Sequence, residues 1–260
     1  MAGKSLWLIP YVLPGRYTLV GGMATTGAMT RWFRDQFAQA ELAAQAAGGP
    51  DAYATLTAEA AAVPPGSEGL LILPYFSGER TPLNDPQARG VVAGLSLAHG
   101  RGHLYRALLE ATAYGLAHNV EVMQSSGAEP QRVVAVGGGA KSELLLQTVS
   151  DVTGLEQELP EQTVGASYGD AALAGLATGL LSLPDLRSGW VHIARRFTPD
   201  AARRKGYRPY YRVYRDLYPH TREDVHTLAR LGTMGEHRNS TQGRRRPTVG
   251  RAKTQSGMDG

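Results

Sequence analysis

Residues 132–154 read RVVAVGGGAKSELLLQTVSDVTG. The first five lean to strand, three glycines follow in a row, and leucines then return at helical spacing. A strand-to-helix turn needs a glycine only where φ is positive or where another group comes close to bare backbone. Three consecutive glycines, Gly137, Gly138 and Gly139, exceed what a tight turn demands. A nucleoside triphosphate P-loop requires G-x-x-x-x-G-K-[ST], but Ala135 and Ala140 stand at its two glycine positions. A dinucleotide turn requires G-x-G-x-x-G, and Ser142 occupies the third glycine position. Two readings of the residues stay open. Backbone without Cβ, a helix amino terminus and the small hydroxyl of Ser142 suit a nucleotide lying on the turn. A plain tight turn with Ser142 as N-cap accounts for the same letters.

Outward from this turn, strands alternate with helices. Residues 5–12 and 17–23 read as paired strands about the turn LPGR. Residues 26–47 read as one helix with Met29, Trp32, Phe33 and Phe37 on a shared face, stopped by Gly48, Gly49 and Pro50. A second helix follows over 51–63, capped by Asp51. GLLILPYF (69–76) is a buried strand by its continuous apolar run, and VVAGLSL (91–97) is another strand. The longest helix spans 102–127, with Leu104, Leu108, Ala111 and Leu116 facing inward. A strand over 132–136, a helix from Ser142, a short strand over 155–160, a small-residue helix over 167–181 and a tyrosine-rich helix over 207–231 complete the body. This alternation indicates an α/β layered domain whose sheet is at least partly parallel. The tyrosines at 207, 210, 211, 214 and 218 recur at helical spacing and read as packing.

The chain has 260 residues, 42% hydrophobic and 19% charged, and no cysteine, so it has no disulfide and no thiolate nucleophile or metal site. No apolar run reaches the length of a membrane span, the start is a poor signal peptide, and a cytoplasmic location is expected. The net charge of +4 belongs to residues 232–260, with six Arg or Lys against Glu236 and Asp259; the remaining residues carry 21 of each sign. That stretch is poor in large apolar residues and reads as a disordered tail beyond a domain of residues 1–231. It has no interleaved aromatics, and a nucleic-acid partner is not expected. His99 and His103 are four apart without a third ligand, so no metal site is expected. Glu79 and Arg80 read as a salt-bridged loop, and Asp170 as a helix cap.

The motifs taken together resemble those of the FGGY family of carbohydrate kinases. GGGAKS with the following LLLQTVSDVTG resembles the family's adenosine motif. RGVVAGLSLAHGRGHLYRALLEATAYGL resembles its C-terminal signature, with Gly94-Leu95, a seven-residue spacer and then His103-Leu104 on a helix through Glu110. LPYFSGERTPLNDPQARG, GGMATTGAMTRWFRD and GASYGDAALAGLATGL resemble neighbouring family segments in the family's order, across residues 5–230. The pattern is most similar to the xylulokinase-type branch.

The resemblance implies an actin-like ATPase (ribonuclease H-like) domain, a mixed sheet flanked by helices, that binds ATP with Mg²⁺. It places Gly138 by the ribose or α-phosphate, Ser142 at the adenine edge, Gly137, Gly139 and Ala140 in the same turn, and Gly27 and Arg31 near the phosphates. It also implies that the catalytic carboxylate and the pocket for a sugar or polyol belong to an N-terminal half of the family that this chain lacks. No catalytic residue is assigned. The expected function is the ATP-side half of a sugar kinase working with an N-terminal half on another chain, or a homodimer; the alternative is a non-catalytic nucleotide-binding remnant.

Overall fold

The computed structural model describes residues 6–242. The chain opens with a hairpin of β1 (Trp7–Pro10) and β2 (Tyr17–Val20), paired antiparallel. It continues through α1 (Gly27–Phe37), α2 (Gln39–Ala46) and α3 (Ala52–Ala61) to β3 (Leu71–Leu73) and β4 (Val91–Ala93). After α4 (Arg101–Ser125) come the glycine turn, α5 (Glu143–Thr153) and β5 (Gln157–Pro160). The last elements are α6 (Gly165–Ala177), α7 (Leu183–Ser188), β6 (Ile193–Phe197) and α8 (Ala201–Gln242). β3 pairs with β4 and β5 with β6, both antiparallel. The parallel element expected of the sheet survives as a bridge between Val134 and Glu158.

β3 explains why its sequence is apolar at successive positions. Ile72 points into a core of Met29, Phe33, Leu56, Leu108 and Leu109. Leu71 and Leu73 point into a second core with Tyr75, Tyr114, Tyr207, Tyr214 and Tyr218. Alternate residues of a strand face opposite ways, so a strand between two cores must be apolar on both faces. The tyrosines of α8 are thus packing groups, as their spacing indicates. Two of their hydroxyls are tied across the core: Tyr75 Oη donates to Tyr214 Oη at 3.1 Å, and Tyr218 Oη donates to Asp85 Oδ2 at 2.5 Å.

Buried carboxylates tie α8 to the rest. Glu110 on α4 is 1% exposed. It accepts from the Gly66 amide at 2.8 Å, Ser67 Oγ at 2.9 Å, Arg106 Nε at 2.9 Å and Tyr207 Oη at 3.1 Å. Asp151 on α5 accepts from the Asp200 amide at 2.8 Å and from Arg203 Nε at 2.6 Å. Asp85 accepts from His226 Nε2 at 2.8 Å as well as from Tyr218. Burial pushes the Asp85 carboxyl upward, but these donors and the Gln87 amide outweigh it and leave it below its usual range.

Several local expectations are corrected. The helix over 26–47 breaks at Ala38, whose φ of −130° and ψ of 42° leave the helical region between α1 and α2. Met29 and Phe33 are buried on the shared face, but Trp32 and Phe37 are 43% and 45% exposed. Leu116, expected to face inward, is likewise 37% exposed. β6 and α7 carry no clear periodicity and escape a sequence reading. α8 continues to Gln242, into the stretch read as the start of the tail; residues 243–260 of that tail lie outside the described residues. Among the described residues, no helix is long and apolar enough to cross a membrane.

His118 on α4 gives a pH-dependent expectation. Burial, with a smaller contribution from the Arg215 charge, pushes its imidazole down to about 4 from an ordinary value of 6.5. A base with a depressed folded value leaves the unfolded chain binding the proton first, so stability is intact above about pH 6.5 and drains away as pH falls towards 4. Discounted for partial exposure, the loss is on the order of 2 kcal/mol. Thermal melts of His118→Gln from pH 7 to pH 4 should show a flatter slope than the unsubstituted chain. Parallel slopes would mean that His118 is solvated.

Candidate functional site

The glycine turn is built from outside the local sequence. The amides at its entry pair with the 157–163 segment: Ala135 N donates to Glu158 O at 2.9 Å, and Gly137 N donates to Thr163 O at 2.7 Å. Residues 132–136, expected as a strand, therefore form a single bridge and short flanking bonds. Gly137 has φ +83°, which only glycine adopts without strain. A 3-10 turn follows over Gly138–Lys141, and Ser142 then caps α5, its Oγ accepting from the Leu145 amide at 3.3 Å. Gly154 closes α5 with φ +73°, as an αL terminus.

The three glycines differ in what demands them. Gly137 needs its left-handed backbone. A Cβ on Gly139 would make ordinary contact with Leu145 at 3.6 Å. Gly138 has no left-handed φ, and a Cβ there would meet nothing within 4 Å. Nothing inside the fold requires a glycine at Gly138; its bare face looks onto open space. The amides of Gly138 and Gly139 donate to no acceptor among the described residues. Ala140, in contrast, is 5% exposed, with its amide bonded to Gly137 O at 3.1 Å, and belongs to the core.

Two neighbours of this turn are not apparent in the sequence. Val136 and Val164 are 51% and 61% exposed, an unusual position for branched apolar side chains. They flank the turn because Gly165, first residue of α6, abuts Val136: a Cβ there would lie 2.9 Å from Val136 Cγ2. The turn thus combines free amides, bare backbone and a small apolar surface, which suits a flat heteroaromatic ring attached to an anionic chain.

Gly27 is the first residue of α1, whose N-cap Thr26 makes no side-chain cap and whose first turn carries no acidic residue. Arg31 lies one turn on and is exposed. α1 and the start of α5 share a core, since Leu144 and Leu145 pack against the cluster that holds Met29 and Phe33. No hydrogen bond or ion pair joins Arg31 to the glycine turn among the described residues.

Other residues singled out from the sequence fall as follows. Asp170 is inside α6, exposed, and caps nothing; Val164 is the N-cap of that helix. Glu79 and Arg80 make no ion pair. Glu79 is 4% exposed, and its Oε1 accepts from the Ala24 amide at 2.8 Å and from the Arg80 amide at 2.7 Å. Burial pushes the Glu79 carboxyl above its ordinary range, and the two amides oppose the shift. His99 and His103 serve local turns, accepting from the amides of Ser96 and Gly100 at 3.0 Å each. Among the described residues, no three His, Asp or Glu side chains gather into a metal-binding group. A cavity of about 700 Å³ lies elsewhere, between the hairpin tip and α7, lined by Tyr11, Pro14, Tyr17, Leu183 and Leu186 among others.

Comparison with known proteins adds an independent finding. A family model described as the C-terminal domain of the FGGY family of carbohydrate kinases matches residues 4–178. The xylulose kinase of Escherichia coli strain K12 is 36% identical over 216 residues, covering 80% of this chain and 41% of that protein. The gluconokinase of Bacillus subtilis strain 168 is 34% identical over 209 residues, again 80% of this chain and 41% of that protein. The crystal structure of xylulose kinase from Rhodospirillum rubrum superposes with a TM-score of 0.73 at 36% identity, covering 86% of this chain and 43% of that one. The chain therefore spans about two fifths of the length of the curated relatives it matches.

Proposed function

Since this chain belongs to the FGGY family of carbohydrate kinases, we propose that it is the nucleotide-holding part of an ATP-dependent kinase, similar to xylulose kinases, that phosphorylates a sugar or polyol hydroxyl. The observation that carries the nucleotide reading is Gly138, a glycine with neither a left-handed φ nor a neighbour that a Cβ would meet. A ligand lying on its bare backbone gives it a purpose. Gly138 and Gly139 offer their amides to the ribose or the α-phosphate, and Gly137 fixes the course of the turn. Val136 and Val164 form an apolar shelf for the adenine. Ser142 at the adenine edge already accepts the Leu145 amide as cap of α5, which uses one lone pair of Oγ and leaves its O–H free to donate to the ring. Ala140 supports the turn from below. Gly27, at the uncapped amino end of α1, and the exposed Arg31 suit the anionic phosphates.

When bound, ATP would supply the phosphoryl group and Mg²⁺ would neutralise phosphate charge. The sugar pocket and the carboxylate that accepts the hydroxyl proton are proposed to belong to the part of the relatives that this chain does not span. The domain is proposed to end at Leu231, and the cytoplasm, where ATP is supplied, is the proposed location.

Thermal melts test this reading. ATP with Mg²⁺ at a hundred times its Kd should raise Tm by about 5 °C. Gly138→Val fills the open face without touching the interior, so Tm without ligand should hold and the ligand-induced rise should disappear. An undiminished rise in the variant would show that the nucleotide binds elsewhere.

A further inference from the structure

Residues 22–25 connect β2 to α1, and they are stitched to residues 74–81. The Gly22 amide donates to Thr81 Oγ1 at 3.2 Å, and the Thr81 amide returns a bond to Gly22 O at 3.1 Å. The Ala24 amide donates to Glu79 Oε1 at 2.8 Å. Arg80 Nη2 donates to Met23 O at 3.3 Å, and Thr25 Oγ1 donates to Pro74 O. The strap has no regular pairing of its own, so these bonds settle its path. Glu79 is the member supplied by a buried charge-bearing side chain, and it is itself fixed: its backbone amide and carbonyl pair with Asp85 at 2.9 Å and 2.8 Å. The Asp85 side chain is anchored in turn to Tyr218 and His226 of α8. A carboxylate buried to 4% exposure is expensive unless it has a task that an apolar residue could not perform. Here the task is to hold one amide of the strap two residues before the N-cap of α1.

We propose that Glu79 is a positioning residue, which through the Ala24 amide sets the strap and thereby the placement of Gly27 and Arg31 towards the nucleotide's phosphates. The proposal rests on the nucleotide reading above and adds to it the element that aims α1. Glu79 touches no ligand itself. A hydrogen bond to a charged acceptor is stronger than a neutral one, so its loss should be felt at the ligand by about tenfold.

The experiment uses the full chain, with ADP and Mg²⁺ as the probe. In Glu79→Ala without nucleotide, the Ala24 amide should exchange with deuterium about tenfold faster, while the amide of Leu108 in the middle of α4 keeps its rate. In calorimetry the Kd for ADP should rise about tenfold, and Glu79→Gln, which keeps the acceptor oxygen, should restore most of it. Unchanged Ala24 exchange would overturn the clasp. Fast Ala24 exchange with unaltered ADP affinity would overturn the positioning role. Should Glu79→Ala fail to fold, Thr81→Val removes the neighbouring acceptor, and the same two readouts should shift in the same direction by about threefold. An unsubstituted chain that binds no ADP would retire the nucleotide reading and the positioning role with it, and the exchange data would still report the clasp separately.

Discussion

Glu110→Ala is expected to cost about 3–5 kcal/mol, a large part of the stability of an ordinary domain. The side chains of Arg106 and Glu110 are 6% and 2% exposed, and removing the acid leaves a guanidinium in the interior without its counter-charge. The loss does not stop there. The Gly66 amide, Ser67 Oγ and Tyr207 Oη all donate to this one carboxylate, so three further polar groups are stranded together. Arg106 Nη2 still reaches Tyr207 Oη at 2.7 Å, but a neutral hydroxyl cannot balance the charge. Urea unfolding followed by circular dichroism should show the midpoint collapse. Glu110→Gln retains acceptor capacity and should fall between. A loss under about 1 kcal/mol would show that water enters and replaces the carboxylate.

Gly94→Ala is expected to be almost as severe, on the order of 4 kcal/mol, for a different reason. Gly94 has φ +80°, and a Cβ there would overlap the carbonyl oxygen of Gly69. Backbone on both sides of the contact leaves no flexible group to move aside. The segment that Gly94 meets is itself confined, since Ser67 and Glu68 have φ of +48° and +52° and Gly66 and Gly69 are also left-handed. Gly127 is the matched control: its φ is +90°, but a Cβ would meet nothing within 4 Å. Gly127→Ala should cost about 1 kcal/mol, the backbone term alone. Equal losses in the two variants would show that the Gly69 contact relaxes freely. The glycine in the Gly94-Leu95 pair of the family-like signature thus has a structural reason, independent of any ligand.

Much of the fold was legible because its cues are local. The LPGR hairpin, Asp51 and Ser142 as N-caps, the doubly apolar β3 and the packing tyrosines of α8 follow from turn chemistry, capping and periodicity. The failures share a cause as well. The break at Ala38 occurs in an alanine-rich run with no glycine or proline to announce it, at a residue that is fully buried. Residues 132–136 have strand composition but find one parallel partner at Glu158. β6 reads IARRF, polar enough to look like loop until β5 pairs with it.

For the candidate site the division is sharper. The order of motifs, the glycine surplus and the exclusion of two better-known phosphate turns are properties of the string itself, and they were enough to point to a family and to a turn. The string could not rank the glycines, since a requirement for glycine depends on φ and on what stands opposite, and both are set by distant residues. The fold separates Gly137, needed by the backbone, from Gly138, free of any internal demand, and brings Val136 and Val164 beside them. It likewise places Asp170 inside a helix and turns Glu79 from one half of an expected ion pair into the buried acceptor for a strap 55 residues away in sequence. Local pattern determined most of the elements this chain builds, except where pairing or packing overrode it, as at Ala38, residues 132–136 and β6. Long-range hydrogen bonding and packing alone decided which residues face inward to hold the fold and which are left on open surface.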